Sequence, residues 1–182
     1  MILNVGVAEP RKQQLELLEV ARRLHEQGFK AEWQFAGSLD AGAPYAAAVA
    51  RGMAAAEKAG YARHVGSLPA AQLVAAMDSA SALVHFPKEE AFGLVVAEAL
   101  ARNLKFFGSA TGGLVDIAQG VDGAELLAPQ DFRGLESAIA TWLRAGAPRP
   151  QQAAAVMAQR YHPKVIAARH LEIYREVLGT AT

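Results

Sequence analysis

The sequence predicts an α/β fold, a doubly wound parallel sheet of about six strands with helices on both faces. Three observations carry this. Short apolar runs such as Ile2-Leu3-Asn4-Val5 and Ala82-Leu83-Val84 alternate along the chain with segments of helical period. Glycine follows several of these runs closely, as at Gly6, Gly37 and Gly66. No repeat, low-complexity tail or interdomain linker breaks the alternation, so residues 1–182 read as one unit.

The elements follow in order. Ile2 to Val7 is short, branched and apolar, the pattern of a buried strand. After Pro10, Leu17, Val20, Ala21 and Leu24 fit one face of a helix that Gly28 stops. Phe29, Ala31, Trp33 and Phe35 alternate with Lys30, Glu32 and Gln34, predicting a strand with one wetter face. An alanine-rich helix runs from Pro44 to Ala59, with Gly60 after it, and Ala62 to Val65 predicts a short strand. A helix from Pro69 to Ser79 leads to a strand at Ala82 to Phe86. Leu104 to Phe107 is the next strand, and Thr111-Gly112-Gly113 a loop before a short helix. Ala124 to Leu127 completes the sheet, closed by Pro129. Asp131 is placed to cap a helix carrying Leu135, Ala138, Ile139 and Trp142 on one face. Pro148 and Pro150 separate it from two closing helices, one ending at Tyr161 and one over Pro163 to Leu178.

Composition narrows the function classes. Eighteen basic and eighteen acidic residues cancel to a net charge of +0, unlike the basic footprint of a nucleic-acid binder. The chain has no cysteine, which removes disulfides and thiolate metal sites and fits a reducing compartment. No signal peptide is visible at Met1, and no apolar stretch reaches the ~18 residues that span a bilayer. The expectation is a cytoplasmic soluble domain with no transmembrane segment.

The chemistry concentrates in Glu89 to Leu100. From Phe92 to Leu100 every side chain except Glu98 is apolar or absent. A helix apolar all round is expected to be buried, and a carboxylate inside it needs a partner. Gly93 opens that helix, whose free backbone N–H groups make an anion site available; ordinary capping is the competing reading. The first βα loop lacks G-x-G-x-x-G and the Walker A pattern, which disfavours a dinucleotide cofactor. It instead places Arg11 and Lys12 just before a helix N-terminus, the unfavourable end of the dipole for cations. Either Lys12 neutralises a phosphate over the strand ends, or both are solvated surface cations.

Glu90, seven intervening residues and Glu98, with Phe92-Gly93-Leu94 between them, resemble the E-x7-E motif of retaining GT-B glycosyltransferases, most closely the large family-four group. The likeness covers nearly the whole chain. Val5-Gly6 with Lys12 looks like the family's first strand and phosphate-binding lysine, and Phe35-Ala36-Gly37 like its second strand and turn. Val65-Gly66-Ser67-Leu68 is similar to its base-pocket loop, Thr111 to Asp116 to its glycine pair with a following acid, and Tyr161 to Leu178 to its C-terminal helix. The chain departs from the family at Val7, where an arginine is usual and Arg11 is the available substitute. It departs also at Asn103, Lys105, Asp116 and the displaced Pro87, which suggests a divergent subgroup.

The resemblance implies a Rossmann-like domain that binds a nucleotide diphosphate sugar and corresponds to the donor half of a two-domain enzyme. By that likeness Glu90 accepts from the donor-sugar hydroxyls and Glu98 takes the ribose diol. Lys12, Arg11 and the Gly93, Leu94 and Val95 backbone stabilise the departing diphosphate, and Gly66, Leu68 and Phe92 complete the donor site. Neither a cofactor nor a metal is implied, and the partner is an N-terminal acceptor-binding domain. Without it the chain is expected to bind donor weakly and not turn over efficiently. The full enzyme would be cytoplasmic or membrane-peripheral, and the alanine-rich composition points to bacterial polysaccharide or lipopolysaccharide synthesis. The rival readings are a non-catalytic nucleotide-sugar module or partner subunit, and an unrelated doubly wound scaffold. His85, at a strand end, reads as structural or lining.

Overall fold

The computed structural model describes residues 1–40 and 42–179. Six parallel strands form the predicted sheet: β1 (Ile2–Val5), β2 (Trp33–Ala36), β3 (Ala62–His64), β4 (Ala82–His85), β5 (Lys105–Ser109) and β6 (Ala124–Leu127). Their order is β3-β2-β1-β4-β5-β6. The winding therefore reverses between β1 and β4. At such a switch point the connections leave to opposite faces and open a crevice above the carboxyl ends of the strands.

Helices cover both faces, as expected. On one side α1 (Gln14–Glu26), α2 (Pro44–Ala59) and α6 (Phe132–Arg144) bury Leu17, Val49 and Ile139 with Ile2, Val84 and Phe107 of the sheet. On the other, α3 (Ala70–Ser79), α4 (Leu94–Leu100), α5 (Gly113–Ala118) and α7 (Ala153–Tyr161) bury Met77, Leu100, Ile117 and Met157 with Leu3, Leu83 and Phe106. Neighbours along each central strand thus enter opposite layers, as the two-residue pleat requires. Phe106 and Phe107 are both fully buried. Truncating either to alanine is expected to cost about 3–5 kcal/mol.

Local chemistry explains several boundaries. Asp131 caps α6, its Oδ1 accepting from Gly134 N–H at 2.8 Å. Pro163 sits in the first turn of α8 (Pro163–Val177), where its missing N–H costs nothing. No residue of α8 is buried, and Leu171, Tyr174 and Val177 are each more than half exposed.

Two expectations need correction. The alternation from Phe29 predicted a strand with a wet face, but β2 begins at Trp33 and all four of its residues are buried. The cause is position: β2 lies inside the sheet between β1 and β3, and its Trp33 and Phe35 share a core layer with α1 and α2. Gln34 keeps polar company at the Glu32 and Arg63 side chains. The second correction concerns α4, which is not buried all round. Val96, Ala99 and Leu100 face the core, while Leu94 is 70% exposed and Glu98 is exposed.

Candidate functional site

The two loops that leave the sheet at the switch point are fastened to each other. The first turns through a 3-10 helix at Pro10–Lys12 and then Gln13, whose backbone is left-handed (φ 56°). A non-glycine residue held there stores on the order of 1 kcal/mol of strain or more, which surrounding contacts must hold. Those contacts exist. Buried Gln13 donates from Nε2 to the Phe86 carbonyl at 3.1 Å, Lys88 N–H donates to the Arg11 carbonyl at 2.8 Å, and below them Asn4 Nδ2 donates to the Val84 carbonyl at 2.9 Å. This also revises the electrostatic expectation for Arg11 and Lys12. They close the 3-10 turn, where carbonyls point toward them, and Gln13 separates them from α1.

From these loops Lys12 and Glu90 reach across and meet. Lys12 Nζ lies 2.5 Å from Glu90 Oε2, with both side chains 13% exposed. His85, from the end of β4, places Nε2 at 2.8 Å from the same oxygen. Its side chain is 3% exposed, and burial pushes its pKa below the usual histidine value. The imidazole is therefore neutral and donates Nε2–H to the carboxylate. That hydrogen bond and the Lys12 ammonium hold Glu90 down at about 2, against the opposing effect of partial burial. Glu90 is thus a fixed, ionised acceptor with both recorded partners on one oxygen.

The backbone around Glu90 is held just as closely. Gly112 has φ 48°, and a Cβ added there would collide with the Glu90 carbonyl oxygen. The glycine pair at Gly112-Gly113 thereby lets α5 approach the motif loop, and Gly113 N–H donates to that carbonyl at 3.3 Å. Thr111 Oγ1 and Ser109 Oγ fix the same loop through the Lys88 and Pro87 carbonyls, at 3.2 and 2.7 Å. Gly93 (φ 89°) turns the chain into α4. The amides of Leu94 and Val95 precede the first intrahelical bond, from Val96 N–H to the Gly93 carbonyl at 2.9 Å.

A cleft of about 420 Å³ lies over these groups. It is lined by Arg11, Lys12, Glu90, Phe92, Gly93, Leu94 and Val95, together with Val7 and His85. Seven expected site residues are thus brought together. Arg11 pairs with Glu9 at 2.7 Å and is half exposed. Leu68 lines an adjoining cavity of about 250 Å³ that shares Val5, Gly6 and Val7 with the cleft. Gly66 is in neither lining; its carbonyl accepts from Gly37 N–H at 2.9 Å, and its neighbours Ser67 and Gly37 line the adjoining cavity.

Glu98 falls elsewhere. On a helix, positions 94, 98 and 101 share one face, and Glu98 points outward between two shallow pockets of about 360 and 390 Å³ on either side of α4. It is not the buried carboxylate that composition suggested. His85 lines the cleft, as its place at a strand end predicts, and its bond to Glu90 is the contact that the sequence did not suggest.

Among the described residues, no group of three or more histidine, aspartate and glutamate side chains is arranged to hold a metal ion, and no helix is long and apolar enough to cross a membrane. Fold and site define a doubly wound α/β domain of Rossmann-like form, with a cleft at the sheet's switch point. The chain belongs to the glycosyl transferases group 1 family, whose profile matches residues 1–158. No curated protein sequence matches it closely enough to count as a relative. Among solved structures it is similar to sucrose-phosphate synthase from Thermosynechococcus elongatus, at 22% identity and TM-score 0.81, covering 99% of this chain and 46% of that one. It is also similar to a glycosyltransferase from Rickettsia africae, at 18% identity and TM-score 0.86, covering 99% and 48%. A third is Anabaena HepE in complex with UDP-glucose, at 19% identity and TM-score 0.78, covering 99% and 49%. The chain spans about half the length of these structures.

Proposed function

We propose that this domain holds the donor of a retaining glycosyltransferase, a nucleotide diphosphate sugar, and presents it to a glycan or lipid-linked acceptor. One observation carries the reading. Lys12 and Glu90, from the two loops flanking the switch point, meet beside the first amides of α4, setting a cation for a diphosphate next to a carboxylate for sugar hydroxyls. The complex of similar Anabaena HepE with UDP-glucose supports the donor class.

In the reaction, the bond from the anomeric carbon to the diphosphate oxygen breaks and that oxygen keeps the electron pair. The acceptor oxygen bonds to the same face of the carbon, and its proton passes to the departing diphosphate. Lys12, assisted by Arg11 and the Leu94 and Val95 amides, offsets the charge that develops on the leaving group. This arrangement assigns no metal to the step. Glu90 orients the sugar through its hydroxyls, exposed Glu98 accepts from the ribose diol over the outer face of α4, and Leu68 bounds the base.

Rate also requires the acceptor in near-attack geometry. We assign that task to an N-terminal acceptor-binding domain, a reading supported by the half-length coverage of similar structures. The domain by itself is then a weak donor binder with little turnover. The complete enzyme would work in the cytoplasm, at the membrane edge where the acceptor is lipid-linked, in bacterial polysaccharide or lipopolysaccharide synthesis.

Calorimetric titration of UDP, GDP and ADP against wild type and Glu98→Ala tests the reading. Binding by wild type that weakens in the variant is expected, with turnover appearing once an acceptor-binding domain is added. Failure of all three to bind wild type would remove it.

A further inference from the structure

Lys12 has two calls on its charge. In the structure it is spent on Glu90, at 2.5 Å. In the proposed complex it turns to a diphosphate, and so does Arg11, whose pair in the structure is Glu9 and not Glu90. Glu90 then loses its cation just as a dianion arrives beside it. A carboxylate in that position, repelled and freed from its partner, would swing or take up a proton. It would then be unable to accept from sugar hydroxyls in a fixed direction.

His85 answers this difficulty. Its Nε2 stands 2.8 Å from Glu90 Oε2, the oxygen that Lys12 also holds. The imidazole is nearly sealed from solvent and is rooted in a central strand, paired in register with Gly108 of β5. It does not have to move when Lys12 does. Burial keeps it neutral, so it supplies a hydrogen bond without a positive charge that would compete for the diphosphate. With Oε2 held by the protein, Oε1 is the oxygen left to accept from a ligand in the cleft.

We propose that His85 is a positioning residue for the donor sugar: it holds Glu90 Oε2 while Lys12 is drawn away to the diphosphate, and so keeps Oε1 aimed at the sugar hydroxyls. The inference rests on the donor reading above and adds a specific division of labour. Lys12 governs the nucleotide part of the donor, and His85, acting through Glu90, governs the sugar part.

The division gives a readout that a merely structural histidine would not move. Dissociation constants are measured by calorimetry for UDP and UDP-glucose, GDP and GDP-mannose, and ADP and ADP-glucose, and the pair that binds wild type most tightly is carried forward. Wild type is expected to bind the sugar nucleotide more tightly than the bare diphosphate. In His85→Leu that advantage is expected to fall by about tenfold, the scale of one hydrogen bond to a charged group, with affinity for the bare diphosphate within about twofold of wild type. His85→Gln, whose amide can donate from nearly the place of Nε2, is expected to restore most of the advantage. It also carries the comparison against His85→Asn, which is too short to reach, should the leucine variant not fold. Equal losses for both ligands, or no loss for either, would overturn the inference while leaving the donor reading intact. A wild-type advantage of one would show that Glu90 does not hold the sugar and would overturn it too. Absence of any binding would instead remove the donor reading itself.

Discussion

The two carboxylates of one motif, eight residues apart, have opposite environments. Glu90 is nearly enclosed, bonded on one oxygen by Lys12 and His85, and its backbone is wedged by Gly112. Glu98 stands exposed on the outer face of α4 between two shallow pockets. The difference teaches that the site is built in two degrees of readiness. The loop half is preorganised by the protein, so its disruption should register in the fold as well as in binding. The helix half is a bare surface, so its disruption should register in binding alone.

The sharpest way to break this contrast is Gly112→Ala. The added methyl must displace the Glu90 backbone from a position where φ is also unfavourable for alanine. A loss of about 3 kcal/mol or more is expected in denaturant unfolding, the range of steric and backbone strain together, and nucleotide binding should fall with it. Lys12→Ala comes next. It removes the cation proposed for the diphosphate, and a UDP titration should show affinity down by roughly 10–100-fold, from about 1.5–3 kcal/mol for a charge-assisted bond. Smaller still is Glu98→Ala. Its unfolding free energy should stay within about 0.5 kcal/mol of wild type because the side chain is exposed, while nucleotide affinity drops by several-fold. An equal stability loss in Glu98→Ala and Glu90→Ala would erase the distinction between the two halves.

The least disruptive probe is pH. Glu90 has its folded pKa lowered to about 2 from 4.5, so the unfolded chain takes up its proton first. The resulting stability is complete above pH 4.5 and disappears as pH falls toward 2. His85 shifts downward as well, and again the unfolded chain binds the proton more readily. Its contribution is complete above the ordinary value of 6.5 and declines below it. Unfolding free energy should therefore fall in both windows on acidification. Glu90→Gln should flatten the lower window and leave the upper one in place.

The sequence carried the layer architecture well, because its apolar runs report burial in a parallel sheet directly. Ala82 to His85 and Ala124 to Leu127 fall where their runs place them. It carried orientation poorly. Phe92 to Leu100 is apolar enough to suggest enclosure, yet only the Val96, Ala99 and Leu100 side reaches the core, and composition does not say which face a helix turns inward. Position within the sheet misled in the other direction at Gln34, which alternation marked as wet and interior placement buried. For the site, Lys12 and Glu90 were legible as motif positions, but their pairing across 78 residues of chain depends on a strand order that brings β1 beside β4. The bond from His85 to Glu90 was hidden for the same reason. Its meaning arises from an oxygen it shares with Lys12, and no spacing in the chain encodes that.

The central claim is that a nucleotide diphosphate sits over the switch point, between Lys12 and the start of α4. Amide chemical-shift mapping during a titration with UDP tests it most directly. The account predicts that the largest shifts fall on Lys12, Gly93, Leu94 and Val95, with Glu98 following, and that in Lys12→Ala the shifts at Gly93, Leu94 and Val95 need roughly 10–100-fold more ligand to reach the same size. Shifts centred on another face of the sheet, or undiminished in Lys12→Ala, would contradict it.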